Sequence, residues 1–321
     1  MKPAPALKIP DAETLRSRLG RRRVAVLMGG RSAEREISLL SGQAVVKALR
    51  ERGVRALGLD LKRPQDVLRL AALKPAVAVL CLHGPGGEDG KIQGWLEWME
   101  IPHTDSRVLA SALAMDKYRA KQVLNQAGIP TAPGVLLARG DRALPRGLRL
   151  PLVVKPNAQG SAIGVTIVKT AAALERALAQ ARRFGDEVLV ERFVPGRELS
   201  VGVMAGQALP VIEIKPKKEF YDYEAKYVAG MSDHILPAQL PGSWTRRAQA
   251  LAVASHRALG CRGATRVDLI AGASGRMVVL EVNTIPGMTA TSLLPEAARC
   301  VGVDFGHLVL WLIADALEGR N

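Results

Sequence analysis

The chain has 321 residues, is 48% hydrophobic and carries 45 basic against 30 acidic side chains, a formal net charge of +15. This composition excludes a disordered chain, and the length predicts two or three domains. No apolar run is long enough to span a bilayer and the N-terminus lacks an apolar signal core, so we expect a protein without membrane insertion.

Cysteine usage indicates a reducing compartment. The three cysteines, Cys81, Cys261 and Cys300, are widely spaced and form no CxxC motif. Their number and spacing argue against a disulfide framework and against a zinc site. We therefore expect a cytoplasmic protein.

The positive charge raises the question of a nucleic-acid partner. Basic residues are spread over the whole chain apart from one run at 21–23, and only twelve aromatic residues are present. The sequence contains neither a zinc finger nor an RNA-binding sheet signature. We expect no nucleic-acid partner, and a basic surface that attracts an anionic nucleotide explains the charge.

In chain order, residues 1–22 contain proline and arginine without an apolar core, which predicts a basic, poorly ordered N-terminal extension. Over 23–105, strands alternate with helices. This pattern predicts βαβ units and a parallel sheet in an N-terminal α/β domain.

Glu34 follows a glycine pair at the end of the first predicted strand, where a helix begins. Free backbone amides at a helix start attract anions, and an acid there stabilises the helix dipole. The alternative role for Glu34 is to bind a cationic group such as a substrate ammonium. A dinucleotide site is a weaker alternative because the segment lacks the GxGxxG pattern.

A central domain is predicted over 106–194. Helical patterning runs from 108 to 126, and a later strand ends near Lys155. The loop 160–164 is rich in glycine and serine and lies between two strands that look antiparallel. Such a hairpin can wrap phosphates with its backbone N–H groups while a lysine neutralises their charge. An ordinary flexible hairpin with a surface lysine is the alternative.

A C-terminal domain over 195–321 begins with further strands. The segment 220–227 holds three of the four tyrosines in a polar loop. Clustered tyrosines in such a loop favour closure over a ligand rather than a place in a core.

Two apolar stretches of this last domain, ATRVDLIA and MVVLEVN, have the composition of strands. Side chains two positions apart on a strand face the same way, so Arg266 lies beside Asp268 and Glu281 beside Asn283. If the strands pair, two carboxylates, one amide oxygen and one guanidinium converge. Oxygen ligands suit magnesium, which completes its coordination with water and nucleotide phosphates. We therefore predict a magnesium–nucleotide site with an arginine placed for developing negative charge.

Seven motifs in a fixed order resemble those of the D-alanine–D-alanine ligases of the ATP-grasp superfamily, over about residues 24–317. They are GGxSAEREISL, LHGxGGEDG, SALAMDK, Lys-Pro with GSxxG, FYDYEAKY, RVD and ExNTxPGMT followed by SL. The resemblance implies an α/β fold with an N-terminal parallel-sheet domain and two ATP-grasp domains whose antiparallel sheets hold ATP. It also implies ATP-dependent ligation of two D-alanine molecules for peptidoglycan synthesis, through an acyl phosphate.

The resemblance also implies site residues. Those for ATP are Lys117, Lys155, Gly160, Ser161, Glu191, Arg192, Phe193, Val194, Glu198 and Lys226. Those for two magnesium or manganese ions are Asp268, Glu281 and Asn283. Those for catalysis are Glu34, Ser161, Tyr227, Arg266, Gly287 and Ser292, and those for D-alanine are His83, Glu34, Ser292 and Leu293.

Specific roles follow from the resemblance. Glu34 would contact the first ammonium and link with Ser161 and Tyr227, while His83 would lie near the first carboxylate. Ser292 and the Leu293 amide would bind the second carboxylate. Arg266 and the Gly287 amide would stabilise the oxyanion.

The resemblance leaves alternatives open. Tyr227 goes with dipeptide formation in the family, yet a ligase using D-lactate or D-serine as second substrate is the nearest rival. Ala162, Ile285, Ala264 and Thr265 depart from the usual motifs. An idle nucleotide-binding protein, a basic nucleic-acid-binding protein and a Rossmann dehydrogenase are more distant alternatives. The resemblance also suggests a homodimer.

Overall fold

A computed structural model of the chain describes residues 9–141, 147–216, 232–289 and 291–319. The helices are α1 (Ala12–Leu19), α2 (Arg35–Glu51), α3 (Leu68–Leu73), α4 (Lys91–Trp98), α5 (Val108–Met115), α6 (Lys117–Gln126), α7 (Ala171–Ala181), α8 (Gly242–Ala258), α9 (Leu293–Cys300) and α10 (Phe305–Glu318). The strands are β1 (Val24–Met28), β2 (Ala56–Asp60), β3 (Val77–Leu80), β4 (Gly134–Leu137), β5 (Leu152–Pro156), β6 (Thr166–Val168), β7 (Val188–Arg192), β8 (Arg197–Met204), β9 (Gln207–Ala208), β10 (Ile212–Pro216), β11 (Ser232–Ile235), β12 (Ala264–Ala271) and β13 (Met277–Asn283).

The N-terminal sheet is parallel, with strand order β2-β1-β3, as the alternating pattern predicted. Every residue of β1 is buried, because helices cover both faces of a parallel sheet. Glycines after β1 and in the loop after β3 bring both loops to the carboxyl edge of the sheet. In such folds, ligands bind at this edge.

The prediction of a poorly ordered extension over 1–22 is wrong for the part that the structure describes. Asp11 caps α1 by accepting a hydrogen bond from the Thr14 amide at 2.7 Å. Leu15 and Leu19 lie one helical turn apart and are buried in the same core as β1 and α10. The apolar spacing of these two leucines therefore outweighs the basic and proline-containing composition around them.

The central sheet is antiparallel, with order β4-β7-β5-β6, and α7 packs on it. The strands β5 and β6 pair as an antiparallel hairpin, which confirms the predicted geometry on either side of the loop 160–164.

The C-terminal sheet has the order β11-β10-β8-β12-β13, with β9 on β8. One face packs against α8 and also against α5 and α6. The other face packs against α9 and α10, in a core that continues to β1. Residues 108–129 therefore pack with the C-terminal sheet, whereas the sequence assigned them to the central domain. The helix α5 contacts β13, and α6 contacts both α8 and the central-sheet strand β4.

The stretch predicted as one helical region over 108–126 is two helices. Asp116 ends α5 and starts α6, because its carboxylate accepts a hydrogen bond from the Arg119 amide at 2.9 Å.

Within the described ranges, no single helix is long and apolar enough to cross a membrane. Among these residues, the pair α9 and α10 together reaches the length and apolar composition of a membrane span, but the two helices are bent by 102° at their junction.

Candidate active site

The strands β12 and β13 pair in antiparallel fashion, with Arg266 opposite Asn283 and Asp268 opposite Glu281. The predicted convergence of these four side chains is therefore confirmed. Arg266 donates to Asp268 through Nη2 at 2.9 Å and Nε at 3.0 Å. Ser200 of β8 donates to the same carboxylate at 2.8 Å.

Glu281 faces a lysine from another part of the chain. The distance from Lys117 Nζ to Glu281 Oε2 is 3.3 Å, and Lys117 Nζ also donates to the Gln159 carbonyl at 2.5 Å. Lys117 is 92% buried by this arrangement, with a relative exposure of 8%. The first residue of α6 is thereby held between β13 and Gln159, which directly precedes the loop 160–164.

A β-bulge follows Asp268 in this ladder. Asp268 pairs with Glu281 and Leu269 pairs with Val279, so Leu280 has no partner in the ladder. Leu280 and Glu281 both line one cleft, while Val279 and Val282 are buried in the core. The extra residue lets two consecutive side chains face the same side.

The residues fit a hard divalent cation. Asp268 and Glu281 supply carboxylate oxygens, and the Asn283 amide lies within 3.2 Å of Asp268 Oδ2. Asn283 presents its Nδ2 there, and rotation of the amide would present its oxygen instead. Among the described residues, no group of three or more His, Cys, Asp or Glu side chains could hold a metal alone. The set therefore suits magnesium, which takes few protein carboxylates and completes its coordination from nucleotide and water.

A cleft of about 490 Å³ lies between the central and C-terminal sheets. Two predicted lysines and two of the proposed metal ligands line it, together with the start of the chain segment that links the sheets. The predicted residues present in this cleft are Lys117, Lys155, Glu191, Arg192, Phe193, Val194, Glu198, Asp268 and Glu281. Its size and position suit a nucleotide.

The cleft contains a buried charge cluster that the sequence did not reveal. Glu191 lies 2.5 Å from Lys155 Nζ and 2.6 Å from Lys121 Nζ. All three side chains are buried. Burial opposes ionisation of Glu191, but the two lysine charges outweigh it and hold the pKa of Glu191 below its ordinary value. Burial lowers the pKa of Lys121.

A second cavity of about 400 Å³ lies next to the cleft, and all three sheets or their loops contribute to it. It gathers the remaining predicted residues that the structure describes. They are Glu34, His83, Gly160, Ser161, Arg266, Asn283, Gly287, Ser292 and Leu293. Lys226 and Tyr227 lie outside the described residues.

The two cavities meet at β12 and β13. Asp268 and Glu281 line the nucleotide-sized cleft, while Arg266 and Asn283 line the second cavity. On each strand, the residue that lines the cleft and the residue that lines the second cavity are two positions apart. The polar cluster therefore lies at the boundary between the two spaces.

Glu34 is the N-cap residue of α2 and is buried. Ser161 donates a hydrogen bond to its Oε1, so the predicted contact between these two residues is present. A Cβ added to Gly160 would lie 2.5 Å from Glu34 Oε2, and one added to Gly84 would lie 2.7 Å from it. Both glycines are thus required for the loops to close around this carboxylate.

Glu88 was noted in the sequence but not selected as a site residue. It lines the second cavity and accepts a hydrogen bond from the Gly84 amide at 2.7 Å. Burial, and then the neighbouring charge of Glu34, raise the pKa of Glu88 to about 8. Two adjacent carboxyl groups in one cavity favour a cationic ligand.

His83 lies on the wall of the same cavity. Burial, and then the nearby charge of Arg266, lower the pKa of His83 to about 4. The ring is therefore neutral at pH 7, and in this form it can donate a hydrogen bond without carrying a positive charge.

Ser292 lies at the N-cap of α9, and its Oγ accepts a hydrogen bond from the Thr289 amide at 3.0 Å. A Cβ on Gly287 would lie 2.9 Å from Ser292 Oγ, so the glycine permits this close approach. The amides that begin at Leu293 form the N-terminus of α9, and a helix N-terminus attracts anions.

Three functional residues were missed by sequence reasoning: Lys121, Ser200 and His234. Lys121 and Ser200 contact Glu191 and Asp268, and His234 lines the second cavity. Lys121 lies four residues after Lys117 on α6, and this helical spacing could have indicated it. Nothing local distinguishes Ser200 within β8.

Comparisons with known proteins agree on one family. A family profile described as the D-ala D-ala ligase C-terminus matches residues 123–314. The D-alanine–D-alanine ligase of Geobacter sulfurreducens is 49% identical over 306 residues, which cover 94% of this chain and 96% of that protein. The corresponding protein of Methylobacterium radiotolerans is 48% identical and covers 92% of this chain and 99% of its own.

Solved structures show the same relationship. The D-alanine–D-alanine ligase of Bacillus anthracis, complexed with ATP, superimposes with a TM-score of 0.83 at 32% identity, covering 93% of this chain and 98% of its own. The VanG D-Ala:D-Ser ligase of Enterococcus faecalis superimposes with a TM-score of 0.80 at 29% identity, covering 92% of this chain and 99% of its own.

Proposed function

Because the chain belongs to the D-alanine–D-alanine ligase family, we propose that it joins two D-alanine molecules into D-alanyl-D-alanine with ATP. The products besides the dipeptide are ADP and phosphate, and the dipeptide serves peptidoglycan synthesis. The observation that carries this proposal is the polar cluster on β12 and β13, which lies between a nucleotide-sized cleft and an amino-acid-sized cavity.

ATP would lie in the cleft between the two antiparallel sheets. Lys117 and Lys155 would contact its phosphates, with the loop 160–164 above them. The segment 191–194 and Glu198 would contact adenine and ribose. The excess of lysine over carboxylate around Glu191 supports a polyanionic ligand there. Because two lysines already hold the Glu191 carboxylate, the backbone of 191–194 is the better candidate for adenine.

Asp268, Glu281 and Asn283 would hold two Mg²⁺ or Mn²⁺ ions. When bound, such ions polarise the transferring phosphoryl group and offset the charges of the attacking and leaving oxygens. The oxygen donors support this assignment, because Asp268 lies opposite Glu281 and Asn283 lies within 3.2 Å of Asp268 Oδ2.

In the first half-reaction, the carboxylate of one D-alanine would attack the γ-phosphorus of ATP. The bond to the β-phosphate oxygen would break, giving the acyl phosphate and ADP. Glu34 would bind the ammonium of this molecule, and neutral His83 would donate to its carboxylate. A carboxylate approaching a polyanion is repelled, so the charges of Lys155 and Arg266 must offset that repulsion. The Glu34 carboxylate, closed in by Gly84 and Gly160, is the fixed point that orients the substrate.

In the second half-reaction, the amine of another D-alanine would attack the acyl carbon. Ser292 and the amide of Leu293 would hold its carboxylate at the start of α9. Arg266 and the amide of Gly287 would stabilise the oxyanion before phosphate leaves. Alignment of bound reactants of this kind lowers a barrier by about 7–11 kcal/mol.

The direct test is phosphate release from ATP with magnesium, with and without D-alanine, alongside mass detection of the dipeptide. We expect D-alanine-dependent release with an equivalent amount of D-alanyl-D-alanine. Equal phosphate release without D-alanine would contradict the proposal.

A second candidate function is ligation of D-alanine to another second substrate. It is kept because one structural relative is a D-Ala:D-Ser ligase, although relatives near 49% identity are D-alanine–D-alanine ligases. A panel with D-serine and D-lactate as competing acceptors decides between them. Predominant D-alanyl-D-serine or D-alanyl-D-lactate would establish the second candidate.

A cytoplasmic location and a homodimer also remain part of the proposal. The location rests on cysteine usage, and of the cysteines Cys81 and Cys261 are buried thiols. Sedimentation of the purified protein would test the dimer.

A further inference from the structure

One step of the proposed reaction has no residue assigned to it. The second D-alanine enters as an ammonium, which has no lone pair and cannot attack the acyl phosphate. A base must first take one of its protons, and an effective base lies within hydrogen-bond reach of that proton.

His234 on β11 has the geometry of such a base. Its Nδ1 lies 2.7 Å from Glu296 Oε2 on α9, and the two side chains are 20% and 22% exposed. Because a carboxylate only accepts hydrogen bonds, Nδ1 carries the hydrogen, and in the neutral ring Nε2 then has the lone pair. Nε2 is buried and has no hydrogen-bond partner in the described part of the chain.

The position of His234 links it to the second substrate. It lines the same cavity as Ser292 and Leu293, where the carboxylate of the second D-alanine is assigned. Glu296 lies one turn further along α9, and its amide donates to the Ser292 carbonyl at 3.1 Å. The helix that would hold the substrate carboxylate therefore also fixes the imidazole.

The other ionisable groups of this cavity suit the task less well. Arg266 is a permanent cation, and His83 has its pKa lowered to about 4 by burial and by Arg266. Glu34 is engaged by Ser161. Glu88, whose pKa is raised to about 8 by burial and by Glu34, is largely protonated at pH 7.

We propose that His234 is the general base of the second half-reaction, an inference that rests on the proposed ligase function. His234 Nε2 takes one proton from the ammonium, and the freed lone pair forms the C–N bond with the acyl carbon. The bond from that carbon to the phosphate oxygen breaks, and phosphate leaves with the proton that the new amide nitrogen sheds. Glu296 stabilises the imidazolium until it returns its proton to solvent.

Hydroxylamine separates this step from the first half-reaction. It is uncharged at neutral pH, so it captures the acyl phosphate as D-alanine hydroxamate without a base. In His234→Gln, we expect dipeptide formation to fall about 10²–10⁴-fold. Hydroxamate formation from ATP and D-alanine should stay close to the wild-type rate.

A matched control is available on the surface of α10. His307 also pairs with a carboxylate, with Nδ1 at 2.8 Å from Asp304 Oδ2, but the pair is exposed and lies outside the cavity. His307→Gln should leave both products unchanged.

Glu296→Gln provides a second, milder variant. The amide oxygen still accepts from Nδ1, but the negative charge that stabilises the imidazolium is lost. We expect the rate of dipeptide formation to fall about tenfold, which corresponds to a rise of about 1.4 kcal/mol in the activation free energy. Hydroxamate formation should again be retained. Free imidazole added to His234→Gly should restore part of the dipeptide formation.

The outcomes are distinct. Retention of both products in His234→Gln would exclude His234 as the base, and loss of both would show a structural or binding role instead. A wild-type protein that forms neither product with D-alanine would overturn the proposed function, and this inference with it.

Discussion

The two cavities hold opposite kinds of buried charge. In the nucleotide-sized cleft, Lys121 and Lys155 share one carboxylate, Glu191. In the neighbouring cavity, Glu34 and Glu88 lie close enough for each charge to disfavour the other. The first arrangement has an excess of positive charge and the second an excess of carboxyl groups. The lysine excess is opposite in sign to its proposed ligand, a triphosphate. The carboxyl excess is opposite in sign to an ammonium once Glu88 releases its proton.

A buried cluster with unequal numbers of basic and acidic groups therefore indicates a ligand better than a balanced ion pair does. A balanced buried ion pair is compatible with a purely structural role. Two like charges around one partner are unfavourable until an external charge joins them. The ligand therefore supplies the missing charge, and binding is coupled to relief of repulsion.

Among the variants that compare the two cavities, the largest effect is expected at Glu281, which lies where the two regions meet. Glu281→Gln keeps the shape but removes a charge that faces Lys117 and a proposed metal ion. We expect turnover to fall by about 10²–10³-fold, the loss seen when one stabilising group is removed from a charged transition state. Phosphate release measured over a magnesium titration tests this.

Glu175 is exposed on α7, and Glu175→Gln is the control for Glu281. It should leave the rate of phosphate release unchanged. Wild-type turnover of Glu281→Gln at saturating magnesium would remove Glu281 from the proposed metal site.

The lysine excess can be reduced without touching Lys155. Lys121→Met keeps the apolar stem and leaves Glu191 paired with one lysine. We expect the KM for ATP to rise about tenfold, equivalent to about 1.4 kcal/mol, while the KM for D-alanine changes little. Steady-state kinetics with each substrate varied in turn provide the measurement.

Lys47→Met, at an exposed position on α2, is the matched control for Lys121. An equal rise of both KM values in Lys121→Met would indicate a general loss of structure rather than a role in the nucleotide cleft.

The carboxyl excess predicts a pH dependence of stability. The pKa of Glu88 is about 8 in the folded protein and lies near 4.5 when unfolded, so the folded state binds the extra proton between these values. Stability should therefore fall as pH rises from about 5 to about 8. Glu88→Gln should flatten this decline, as measured by urea unfolding of the substrate-free protein at several pH values.

An unchanged slope in Glu88→Gln would assign the decline to other groups. Asp105 is the main competitor, because burial raises its pKa to about 8 as well. Asp105→Asn therefore serves as the comparison variant.

The smallest effect is expected at Ala162 in the phosphate-binding hairpin. It lines the nucleotide cleft, where the family usually has serine. If the loop contacts phosphate through its backbone, Ala162→Ser should change the KM for ATP by less than about twofold. A larger gain in affinity would show that the missing hydroxyl matters.

Part of the site followed from local spacing in the sequence, whereas most of the other site residues were implied by the family resemblance. The two-residue spacing of Arg266 and Asp268, and of Glu281 and Asn283, fixed which side chains share a face once the strands paired. The hairpin around 160–164 was likewise visible from its flanking apolar stretches.

The remainder depended on contacts distant in the chain. The pairing of Lys121 with Glu191 joins residues seventy positions apart, and no local pattern encodes it. The pairing of His234 with Glu296 is of the same kind. The helix α1 was not predicted because the basic and proline-containing composition around it conceals the spacing of Leu15 and Leu19.

The β-bulge after Asp268 has a consequence for the strength of the electrostatics. Because Leu280 and Glu281 face the same side, an apolar side chain lies directly beside a charged one in the nucleotide cleft. In a regular strand, the residue before Glu281 would face the core. The leucine displaces water from one flank of the carboxylate and lowers the local dielectric constant. Every charge that Glu281 meets there is therefore felt more strongly than it would be in a fully hydrated site.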